Sequence, residues 1–138
     1  LPLTLNVQRR QTLFWRLQKM RLKGSIQHKS CADGSYMKEY QLDEPLSKEF
    51  FEYLKYFGRV TALEEMGDGY YNFEKPNWFS IKGFAGDTTV EVRFKRETME
   101  ITTDFLYLLF SSFKEGADIT ALKEKEKFRQ KRIAELLK

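Results

Sequence analysis

The chain has 138 residues, a formal charge of +4 and a single cysteine, Cys31. That length suits one domain with extensions, and such a domain buries enough surface to stand without a metal or disulfide scaffold. An intramolecular disulfide is excluded, which fits a reducing, cytoplasmic setting. No apolar run approaches the roughly 18 residues that a membrane span requires.

The charge is unevenly placed. Residues 1–29 carry seven basic side chains and no acidic one. Residues 30–122 hold ten basic against seventeen acidic side chains, and residues 123–138 seven basic against three acidic. The ends are therefore where an anionic partner is expected, and the acidic middle is a partner of the same kind within the protein. The organisation expected is a basic extension over 1–19, an α+β core over 20–116 and a charged C-terminal helix over 117–138. The extension reads three ways: as a partner-binding arm, as a tag remnant or upstream start, and as an Arg-rich targeting segment.

Along the extension, Leu3, Leu5 and Val7 alternate weakly with polar residues. From residue 10 the spacing turns helical, with Leu13, Leu17 and Met20 on one face. An isolated helix this short is marginal in water, so it needs a surface to dock on. Residues 20–28 alternate as a strand interrupted by Gly24. A turn around Asp33 and Gly34 and a return strand over 36–42 complete a hairpin. The clearest helix spans 44–57, with Asp43 as its cap, Pro45 in its first turn and Gly58 at its stop.

The period then becomes two. Strands are expected over 60–65, 70–74, 78–84 and 88–95, separated by turns at Asp68-Gly69, Pro76-Asn77 and Gly86-Asp87. Met99 and Ile101 are read as continuing the inward face of the last strand. Short connections imply an antiparallel meander. Thr103 or Asp104 is the expected cap of the next helix, whose residues 105–110 are apolar on every side. One sheet can cover only one side of such a helix, so another helix, a cavity or a second subunit must cover the rest. The last helix runs from Ile119. Its apolar stripe of Ile119, Leu122, Ile133, Leu136 and Leu137 is interrupted by Glu126, Arg129 and Gln130, with Phe128 and Ala121 opposite.

The fold class expected is α+β, an antiparallel meander sheet packed by helices on one face with a long C-terminal helix. The element order also describes helix-grip folds, in which a bent sheet wraps a helix around an apolar cavity. The likeness is in element order alone.

No arrangement of residues specifies catalysis, a metal or a cofactor. His28 and Cys31 lie three apart in a turn region, too few ligands for a zinc site. Glu64, Glu65 and Asp68 are explained by turn chemistry. The Gly83 to Asp87 segment precedes a strand, whereas a phosphate-cradling loop precedes a helix. Two surfaces are candidates for binding. Trp78, Lys82 and Phe84 on one strand, with Arg93 on the next, would set aromatic and basic side chains on an open sheet face, as single-stranded nucleic-acid platforms do. Lys123, Lys127 and Lys131 form an i, i+4 ridge on the last helix.

Three functions follow, in order of preference. The first is a non-enzymatic binding or assembly module that forms a homo-oligomer or engages a protein partner. The second is a carrier or enzyme for an apolar small molecule, held in a cup lined by Phe50, Tyr53, Phe57, Tyr71, Phe73, Phe79, Tyr107 and Phe110. The third is nucleic-acid binding through the basic ends.

Overall fold

A computed structural model of the chain describes residues 22–30, with 25–30 as backbone alone, together with 35–113 and 118–137. The extension over 1–19, Cys31 and the Asp33-Gly34 turn lie outside the described residues, as does the His28 side chain.

The described chain runs β1 (Leu22–Ser30), β2 (Ser35–Leu42), α1 (Lys48–Leu54), β3 (Arg59–Ala62), β4 (Tyr70–Lys75), β5 (Phe79–Phe84), β6 (Thr89–Lys95), α2 (Met99–Ser111) and α3 (Ile119–Leu136). Single 3₁₀ turns precede β4 and α2. The six strands form one antiparallel sheet in the order β1-β2-β6-β5-β4-β3. The hairpin and the meander are as the alternation implies. Their junction is what spacing alone leaves open: β2 pairs with β6 over seven residues, Ser35 opposite Lys95 and Gln41 opposite Thr89.

Strand alternation sorts the sheet into two faces. Val90, Val92 and Phe94 of β6, Phe79 and Ile81 of β5, and Phe73 of β4 are buried on the side that carries the helices. Both edge strands resist further pairing. β3 has only four residues, and β1 has register irregularities between Leu22 and Gly24 and between Ser25 and Gln27.

α1 starts later than the sequence suggests. Ser47, not Asp43, is its cap, its hydroxyl accepting from the Phe50 amide at 3.1 Å. The backbone before it is already engaged. The Leu46 amide donates to the Asp87 carbonyl and the Gly86 amide to the Leu46 carbonyl, each at 2.7 Å. These bonds fasten the chain to the β5–β6 turn, so helical pairing begins only after them. Beyond Leu54 a non-helical turn carries the chain through Phe57, which is also buried.

α2 starts earlier than expected, at Met99. Met99 and Ile101 belong to the helix and do not extend β6. Two alternating apolar residues fit both periods, and here the 3₁₀ turn Arg96–Thr98 redirects the chain. Phe105, Leu106, Leu109 and Phe110 are fully buried. Each such side chain contributes about 1.5–3 kcal/mol on leaving water. Their cover comes from the sheet and from the other helices. Phe50 of α1 meets the Phe110 ring at 4.6 Å between centroids, and the Tyr53 hydroxyl donates to the Leu109 carbonyl at 2.7 Å. Trp78 stacks on Phe105 at 4.8 Å, and α3 covers another side.

α3 is capped by Asp118, which accepts from the Ala121 amide at 3.0 Å. It rests on Leu122 and Ile133, with Glu126 buried between them. Leu136, expected on the same stripe, is half exposed. No helix among the described residues is long and apolar enough to cross a membrane.

Candidate functional site

The interruption of the α3 stripe has a partner. Lys75 ends β4 at an inward position, after Tyr71 and Phe73, and its Nζ lies 2.6 Å from Glu126 Oε2. The two side chains are 8% and 5% exposed, so this is an ion pair inside the protein. Lys75 also donates to the Phe57 carbonyl and lies 5.5 Å from the centre of the Trp78 ring. Lys123 Nζ stands 3.3 Å from the other Glu126 oxygen and donates to the Tyr56 carbonyl at 2.8 Å. Burial pushes the Lys75 ammonium below its ordinary value. The Glu126 carboxylate opposes that shift and the nearby Lys123 adds to it. The cluster seats the middle of α3 on the end of the sheet.

The residues singled out for binding are thereby dispersed. Trp78 is not on a strand. It closes the β4–β5 turn, is buried and packs on Phe105 and Phe79. The Pro76-Asn77 turn brings its ring to the helix side, with Asn77 in the left-handed region at φ 63°. Lys82, Phe84 and Arg93 do share the outer sheet face, where Phe84 meets Tyr70 at 4.3 Å. That face is mixed in charge. Lys82 sits opposite Glu91, Glu91 opposite Glu39, and Arg93 Nε lies 3.1 Å from Glu91 Oε1. Of the lysine ridge, Lys123 turns inward to Glu126, while Lys127 and Lys131 are exposed.

The aromatics expected around a cup fill the core against one another. Phe50 contacts Tyr53 and Phe110, Tyr53 contacts Phe57, Phe73 contacts Phe79, and Tyr71 stacks on Phe51 at 4.6 Å. Tyr107 stands apart, 40% exposed on the outer side of α2 and edge-on to Tyr40.

Two surface features remain. The first is the groove between α2 and α3. Arg129 spans it, donating to Asp104 from Nε at 2.8 Å and from Nη2 at 2.5 Å. On one side of that bridge Glu100, Ile101, Phe128 and Arg132 line a cleft of about 230 Å³. On the other, Leu22, Tyr107, Leu108 and Ser111 line one of about 380 Å³. Phe128 is 65% exposed, the most exposed large apolar side chain among the described residues. The second is a cleft of about 490 Å³ between the β4–β5 turn and the end of α3, bounded by Trp78, Lys95, Gln130, Ile133, Ala134 and Leu137.

Sequence reasoning missed Lys75 and Glu126 as a pair, although each signal was present. Lys75 is a lone charge on an otherwise apolar strand face, at a period of two from Phe73, and Glu126 interrupts the apolar stripe of α3 four residues after Leu122. Comparison with family models, with curated proteins and with solved structures returned no match.

Proposed function

We propose that the chain is a non-enzymatic binding and assembly module, and that it self-associates through the α2–α3 groove. The observation that carries this reading is the exposure of Phe128 and Tyr107 on two helices whose inner faces are already covered. The two side chains stand on either side of the Arg129–Asp104 bridge, and a partner lying along the groove would cover both. A second copy of the same chain suits the groove because the groove carries both signs of charge. A two-fold contact sets each patch against itself, so it needs donors and acceptors together. Glu100 and Arg132 flank Phe128 and form no ion pair among the described residues. Across a two-fold axis each can meet the other's counterpart.

Light scattering tests the reading on three proteins: the full chain, a chain starting at Met20, and the full chain with Phe128→Asp. A dimer is expected for the first two and a monomer for the third. A dimer lost on removing residues 1–19 would assign assembly to that segment and overturn the groove. A monomeric full chain would overturn self-association altogether.

A further inference from the structure

We infer that the half of the α2–α3 groove lined by Leu22, Tyr107, Leu108 and Ser111 is the docking site of residues 10–20 of the same chain, where they compete with a second copy. The competition rests on the self-association proposed above, and the docking does not. Position decides the occupant. Leu22 opens β1 and is itself part of the wall of this half, so the segment that precedes it reaches the groove without a linker. Met20 is two residues away, at most about 7 Å of extended chain. Leu13, Leu17 and Met20 share one face at helical spacing, about 10 Å from first to last. The groove offers a matching surface in Leu22, Leu108 and the Tyr107 ring, which is 40% exposed.

Charge favours the same surface. Residues 1–21 carry five basic side chains and no acidic one, and Arg10 and Arg16 flank the apolar stripe on its two sides. α2 carries Glu100 and Asp104 and no basic residue. Asp43 and Glu44 follow directly on Leu42, the partner of Leu22 across the β1–β2 ladder. Arg129, the cation of the opposite wall, is already bonded to Asp104. The outer sheet face lacks this match, because Lys82 and Arg93 are interleaved there with Glu39 and Glu91. A tether this short sets an effective concentration in the millimolar range, so a contact too weak to hold a separate peptide is filled within the chain. A dimer needs two open grooves. Filling half of them raises its dissociation constant about fourfold.

Docking is read on the full chain with Cys31→Ser and with Phe128→Asp, which removes the proposed dimer face. A nitroxide is attached through Ser111→Cys, an exposed position at the rim of this half. It should broaden the amide NMR signals of residues 13–20, and the same label at Lys82→Cys should leave them sharp. Leu13→Ser/Leu17→Ser should abolish the broadening. Sharp signals with the Ser111 label, or equal broadening from Lys82, overturn the docking. A mixture of labelled protein with unlabelled, isotope-enriched protein should show no broadening, and broadening there would place the segment on a second copy and overturn docking within the chain. Competition is read by sedimentation equilibrium on the chain with Phe128 restored. Leu13→Ser/Leu17→Ser should lower the dimer dissociation constant about fourfold or more. An unchanged or higher constant overturns the competition. A chain that is monomeric with and without the two serines overturns the proposed self-association and the competition with it, and leaves the docking to the spin-label result.

Discussion

Replacing Glu126 by Leu should be among the most damaging single changes on α3, and repairing it should require no charge at all. At an effective dielectric of about 20, unit charges 2.6 Å apart attract by about 6 kcal/mol. Desolvating two ions costs several kcal/mol each, so the pair is close to neutral when compared with apolar side chains of the same size. Removing only the carboxylate leaves the Lys75 ammonium with the Phe57 carbonyl and the Trp78 face as its partners inside the protein. The expected cost is about 3–5 kcal/mol. Lys75→Met should cost less, because Lys123 Nζ remains 3.3 Å from Glu126. The double variant Lys75→Met/Glu126→Leu should return to within about 1 kcal/mol of the parent or exceed it. Equilibrium urea unfolding of the four proteins gives the coupling directly. If Glu126→Leu costs under about 1 kcal/mol, or if the double variant equals the sum of the singles, the pair is not the buried unit described.

Other outcomes follow from single features. Burial raises the phenols of Tyr40, Tyr53 and Tyr70 above the ordinary value of 10.0. Above about pH 10 the unfolded chain releases phenolic protons that the folded chain keeps, so stability should fall as pH rises. Lys75 acts in the opposite sense below its ordinary value of 10.5, because the folded chain gives up that proton first. Denaturant unfolding from pH 8 to 11 should therefore show a net decline, made shallower by Tyr53→Phe. The same variant should lose about 0.5–1.5 kcal/mol at neutral pH with the bond to Leu109. Gly58→Ala would place a methyl carbon 2.6 Å from the Phe73 ring and 2.7 Å from the Glu74 carbonyl oxygen. Thermal unfolding should register about 1–3 kcal/mol of destabilisation. Ser47→Ala removes the α1 cap, and a loss of about 1 kcal/mol is expected in urea.

The sequence was informative where one period dominated. The meander, the hairpin and three helices are legible because Val90, Val92 and Phe94, or Phe50, Leu54 and their neighbours, repeat unambiguously. It was less informative where two periods agreed, as at Met99 and Ile101, and where a distant backbone group competed for local bonds, as Asp87 does for Leu46. Trp78 shows a third limit. A turn at Pro76-Asn77 was expected, but only the left-handed Asn77 determines which face the next side chain enters. The candidate clefts were not legible at all, since each is lined from segments far apart in the chain.

The pairing of β2 with β6 also orders events on the ribosome. The first hairpin is made early, yet β2 lacks its full neighbour on the other side until the chain has been synthesised through Lys95, the partner of Ser35. At about 5–20 residues per second, the 53 residues from Asp43 through Lys95 take roughly 3–11 s. Throughout that interval β2 presents an open backbone edge. Lys38 and Glu39, charged and adjacent in the middle of that edge, are placed where they discourage a second nascent chain from taking the position reserved for β6. The strand that completes the sheet is thus the one that ends the vulnerable period of its own synthesis.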